Sequence, residues 1–124
     1  MAVADGFVWF DVNAEVAAIP AVTDFYKAVF DGPINPGDPD SAYRGWLMNG
    51  DRPWAGIVAA DGRTAGNWVP YVQVDDLDSS VEAAVAAGGK VVVSRTAGPA
   101  GEAVTMTDPS GALVALWVPF ATGH

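Results

Sequence analysis

The sequence predicts an α+β fold built from two copies of one strand–helix–strands unit, at residues 7–60 and 67–120 of a 124-residue chain. Three observations predict it. Each copy opens on an aromatic-rich segment of β-strand character. Each continues into a segment whose apolar residues recur at helical spacing, and each ends in short β-prone runs broken by Gly, Pro, Asn and Asp. One such unit leaves an apolar sheet face uncovered, so the repeat predicts that the two copies bury one another as halves of a single domain over residues 1–124. A chain of this length can do so around one core without disulfide staples.

The elements follow in order. Val8, Phe10 and Val12 alternate with Phe7, Trp9 and Asp11, apolar on both sides except at Asp11, as in a strand covered on both faces. Pro20 suits the first turn of a helix, where its missing N–H costs nothing. Val22, Phe25, Tyr26, Val29 and Phe30 then recur at helical spacing until Gly32 and Pro33 stop it. Residues 33–41, with three prolines, read as a loop. Residues 43–48 and 54–60 read as strands joined by Asn49-Gly50-Asp51-Arg52, whose Asn-Gly pair accepts the positive φ of a tight hairpin. Residues 61–67 form a short polar link.

In the second copy residues 68–74 read as a strand. Asp75, Asp76 and Asp78 sit at a helix start, where carboxylates cap orphan N–H groups and meet the favourable end of the dipole, a reading preferred to a calcium or magnesium site. Leu77, Val81, Ala84 and Val85 give that helix its apolar face, and Gly88 closes it. Residues 90–94 and 103–107 read as strands around a glycine-rich connection, and Asp108-Pro109-Ser110-Gly111 turns into a last strand at 112–118.

Composition excludes several functions. Fifteen acidic against six basic residues give a net charge of −9, which repels phosphate backbones and anionic lipid, so nucleic acid is not an expected partner. Residues 1–5 carry no basic residue ahead of an apolar core, and no apolar run approaches the ~20 residues of a membrane span; no membrane association and a cytoplasmic location are expected. Cysteine is absent, which removes thiolate ligands and a cysteine nucleophile. The sole histidine, His124, stands at the chain end, and no Gly-x-Ser-x-Gly elbow occurs, so no activated serine is expected.

The segments DFYKAVF (24–30), VPYVQVDDLD (69–78), AAGGKVV (86–92) and TDPSGALVALW (107–117) carry a family resemblance. In this order and spacing they resemble the vicinal oxygen chelate superfamily, which includes glyoxalase I, bleomycin resistance proteins and extradiol dioxygenases. The resemblance implies two βαβββ modules forming one incomplete barrel, a ligand cavity inside the curved sheet, and a homodimer that buries sheet edges and aromatic surface. In metal-dependent members a divalent ion is held by His, Glu or Gln from the first strand and a late strand of each module. Here the ligand Glu expected four residues after the glycine of Asp-Pro-x-Gly is Ala115, and the His ahead of Val-Asp-Asp falls near Val69. The strand at 54–60 contains no His, Glu, Asp or Gln. Asp11 alone, near the first-strand position, carries a donor, and one carboxylate does not make a metal site; no metal and no cofactor are expected.

What remains is aromatic. Trp9, Trp46, Trp54, Trp68 and Trp117 all fall on predicted strands with Tyr43 and Tyr71, and alternation sends some of them into the cavity. The expected function is metal-free binding of a small aromatic or cationic ligand. Trp46 and Trp54 would clamp it from neighbouring strands, with Trp9, Asp11, Tyr71 and Gln73 around it. An Asp11–Arg44 ion pair is the structural alternative for that carboxylate. The rival expectation is an enzyme of the same superfamily, a lyase, isomerase or dioxygenase with a non-standard site, for which Asp11 and Glu102 are the candidate bases.

Overall fold

The structure, a computed structural model, describes residues 6–120; His124 and residues 1–5 lie outside the described residues. Its α+β content is eight strands and two α-helices. The chain groups into two compact units, Trp9–Val69 and a second made of residues 6–8 and 70–120.

In the first unit β1 (Trp9–Ala14) leads through one turn of 3-10 helix into α1 (Ile19–Phe30), followed by β2 (Ile34–Pro36), β3 (Tyr43–Asn49) and β4 (Arg52–Ala59). The strands lie in the order β2-β3-β4-β1, with β1 parallel to β4 and the other pairs antiparallel. Pro20 sits in the first turn of α1 as expected, and Asp31, at φ 47°, ends the helix in the left-handed region. Val12, Ala14, Ile19, Leu47, Ala55 and Ile57 form the buried core, with Phe10, Val22 and Tyr26 packed against it. Phe10, Val12 and Ala14 therefore face α1, and alternation turns Trp9, Asp11 and Asn13 to the opposite face.

The stretch expected as a loop at 33–41 holds β2, with Ile34 opposite Leu47 and Pro36 opposite Gly45. Pro36, the one proline within β2, is tolerated because β2 is an edge strand, which needs ladder hydrogen bonds on one side only.

In the second unit β5 (Asn67–Gln73), which starts within the first unit, is followed by α2 (Leu77–Ala86), β6 (Lys90–Ala97), β7 (Gly101–Thr107) and β8 (Leu113–Pro119). The order is β5-β8-β7-β6, with β5 parallel to β8. Val74, Leu77, Val104, Met106 and Leu116 form its core. The helix start differs from expectation. Asp76 holds the cap position, but its carboxylate makes no capping hydrogen bond. Asp78 lies in the first turn, where a carboxylate meets the favourable end of the dipole, and it also receives Arg95 at 2.8 Å. At the far end Gly88, at φ 104°, closes α2, with the Gly89 N–H donating to the Ala84 carbonyl. In the turn before β8, Asp108 Oδ1 accepts from the Ser110 hydroxyl and from the Ser110 and Ala112 N–H groups. These bonds, the Ser110 hydroxyl first, hold the Asp108 carboxyl below its ordinary range.

Candidate functional site

The face of the first unit turned away from α1 gathers the expected polar and aromatic residues. Gly56 on β4 is opposite Asp11 of β1 on one side and opposite Trp46 of β3 on the other, so the three form a row across the sheet. Strict alternation would send Tyr43, three residues from Trp46, to the other face. The pairing passes from Tyr43–Val58 to Gly45–Ile57, and this bulge, with Arg44 as the extra residue, returns Tyr43 to the face of Trp46. The Tyr43 ring then stacks on Trp46, with centroids 4.6 Å apart and planes within 7°. Its hydroxyl donates to Asp11 Oδ2 at 2.8 Å.

To reach Asp11 the ring passes over Gly56. A Cβ there would stand 2.5 Å from Tyr43 Cε1 and 2.9 Å from Asp11 Oδ1, so the position admits only glycine. Trp9 completes the cluster. Its Nε1–H donates to Asp11 Oδ1 at 2.7 Å, and its ring meets Trp46 edge-on at 6.0 Å. Asp11 is thereby 2% exposed, a carboxylate held among three rings by two polar donors. The expected Asp11–Arg44 pair is not formed; Arg44, the bulged residue, donates Nε–H to the Ser41 carbonyl.

The expected clamp of Trp46 and Trp54 is corrected. A second bulge, between the Leu47–Ala55 and Met48–Pro53 pairs, leaves Trp54 as the extra residue of β4 and turns its ring toward α1. There it meets Phe30 at 5.1 Å, Trp68 at 6.2 Å and Phe10 at 6.3 Å. Trp46 and Trp54 project from opposite faces and cannot hold one ligand between them. Trp54 instead lines a cleft of about 280 Å³ with Phe10, Tyr26, Phe30 and Trp68.

In the second unit Val72 packs with the core against α2, so Tyr71 and Gln73 project from the other face, opposite Ala115 and Trp117 of β8. Glu102 lies opposite Val118, a neighbour of the α2 core, and so faces the α2 side. Its carboxylate receives Arg95 at 3.3 Å, in an exposed ion-pair network with Asp78. The structure thus brings Trp9, Asp11 and Trp46 together with Tyr43, and separates Glu102 from the face of Tyr71 and Gln73. Sequence reasoning did not place Tyr43 and Gly56 in the site. A glycine inside an apolar strand, between Ala55 and Ile57, was the available sign of a close approach.

The donor set for a family-type metal does not fit. Ala115 is 0% and Val69 2% exposed, both without a donor atom, and Asp11 already receives Trp9 and Tyr43. Among the described residues no three His, Cys, Asp or Glu side chains come together as a metal-binding group.

With this geometry in place, sequence comparison shows that the chain belongs to the Glyoxalase-like domain family, whose model matches residues 9–117, and so to the vicinal oxygen chelate superfamily. Two relatives, each described as "Putative glyoxylase CFP32", from Mycobacterium bovis and Mycobacterium tuberculosis, are 33% identical to it over 115 residues. The match covers 86% of this chain and 43% of theirs, so the chain spans less than half the length of these curated relatives. An uncharacterized protein from Methanosarcina mazei shares the fold, at a TM-score of 0.54 and 12% identity over 97% of this chain and 98% of that one. Among the described residues no helix is long and apolar enough to cross a membrane.

Proposed function

We propose that the chain is a metal-independent small-molecule binding protein that holds an aromatic or cationic ligand at Trp9, Asp11, Tyr43 and Trp46. The observation that carries this reading is Asp11, buried among three rings and bonded by two of them. A buried carboxylate and the negative faces of indole and phenol rings attract positive charge together, and the Trp9–Trp46–Tyr43 surface offers stacking area to a flat ligand. A planar organic cation satisfies both. The family's arrangement of two βαβββ modules in one incomplete barrel, a homodimer and a cytoplasmic location without a nucleic-acid partner belong to the same reading. Tyr71 and Gln73 give the second unit its own aromatic and polar face for ligand contact.

A second reading, an enzyme of the same superfamily, is favoured by the glyoxylase description of the mycobacterial relatives. In it Asp11 serves as the general base; Glu102, engaged by Arg95 in an exposed network, is the weaker candidate. Calorimetric titration with N-methylacridinium and with neutral acridine at pH 8 tests the choice. The cation should bind about tenfold more tightly, and Asp11→Asn should remove the preference. Binding of neither compound, together with turnover of a glutathione hemithioacetal that Asp11→Asn abolishes, would establish the enzyme instead.

A further inference from the structure

Asn13 stands on β1 two residues beyond Asp11, on the same face of the sheet, turned away from α1. Its row lies beside that of Asp11: Asn13 is opposite Val58 of β4, and Val58 is opposite Tyr43 of β3. The backbone here is held by the β4 ladder and by the Gly66 N–H, which donates to the Asn13 carbonyl at 2.7 Å. The side chain is not. Asn13 is only 9% exposed, yet no hydrogen bond joins its amide to another described residue. No fully buried side-chain nitrogen or oxygen lacks a partner among the described residues, so the small exposed part of Asn13 must include the amide. An unpaired amide at the end of a side chain nine-tenths buried costs stability that an apolar residue would not.

We infer that Asn13 makes the Asp11 site selective for a flat cation that carries a carboxamide, or another group with a donor and an acceptor side by side. This rests on the reading of the Asp11 site as a cation site and adds the second group its ligand must bear. The amide of Asn13 offers an oxygen that accepts and an NH2 that donates, in one plane. A carboxylate on the ligand would meet only the NH2 and would stand close to the buried charge of Asp11. An ammonium would meet only the oxygen. A carboxamide satisfies both and is neutral. Two residues of strand separate Asp11 from Asn13 by about 6.6 Å, a span that one substituted aromatic ring bridges.

The test is calorimetric titration of the intact chain with 1-methylnicotinamide and with 1,3-dimethylpyridinium, the same ring cation with a methyl group in place of the carboxamide. The first should bind about tenfold more tightly. Asn13→Leu, which keeps the branched shape and removes the polar atoms, should bring the two affinities together; Asn13→Ala reads the same comparison should the leucine variant fail to fold. Equal affinities in the parent, or a preference that survives the loss of the amide, would overturn this inference and leave the cation site standing. Binding of neither small cation would overturn it too, and N-methylacridinium then separates the two readings. If that larger cation binds, only the carboxamide selectivity is wrong; if it does not, the cation reading of Asp11 falls with it.

Discussion

The two units run through the same order of elements, a strand, a helix and three strands, and each closes a parallel pair between its first and last strand. In the first unit that pair sets Asp11 opposite Gly56; in the second, Tyr71 stands opposite Ala115. The first buries its carboxylate among aromatic donors. The second keeps Asp78, Arg95 and Glu102 in an exposed network on the α2 side. The two charged groups thus sit on different elements and different faces of their units, and what sets the first apart is local. A bulge at Arg44 and a glycine at 56 let one ring cross a strand and reach an acid.

The largest expected effects test whether the units are equally well packed. Ile57 and Met106 are among the largest fully buried side chains, one in each core. Ile57→Ala and Met106→Ala should each cost about 3 kcal/mol by urea denaturation. A loss below about 1 kcal/mol in either would show that its core collapses around the gap, and the symmetry of the comparison would fail.

The acids should differ next. Asp11→Ala strands the Trp9 indole N–H and the Tyr43 hydroxyl, and should cost roughly 2 kcal/mol independently of salt. Arg95→Ala breaks only exposed ion pairs, and should cost less than about 1 kcal/mol, shrinking further as salt rises. Equal costs, or a salt-sensitive loss at Asp11, would break the contrast between buried and solvated charge.

The smallest effect lies in the turn before β8. The Asp108 carboxyl is held below its ordinary value of 3.8 by the Ser110 hydroxyl and nearby N–H groups. A lowered carboxyl pKa contributes stability that is complete above the ordinary value and is lost as pH falls through the folded one. Asp108→Asn should therefore melt slightly below the parent at neutral pH, and the gap should narrow below pH 3.8. A gap that stays constant down to pH 2 would assign the effect to shape rather than charge.

How much of this was legible in the sequence follows from the range of each interaction. Pro20 at the head of α1, Gly88 behind α2 and the Asp108-Pro109-Ser110-Gly111 turn were all read correctly, because turn and helix signals act between near neighbours. Family membership was legible for the same reason, in four short segments at the right spacing. β2 was missed, since three prolines argue for a loop until a partner strand makes an edge position available.

The site lay further out of reach. Alternation along one chain predicts which face a strand residue takes only while the ladder is regular. The two bulges that turned Tyr43 toward Trp46, and Trp54 away from it, exist only in the pairing of β3 with β4. The Tyr43–Asp11 bond then joins residues 32 apart in sequence. The sequence by itself determined every strand and α-helix but β2, the family and the supply of aromatic rings. The tertiary structure decided which rings share a face, because a bulge is a property of two paired strands and is written in neither one alone.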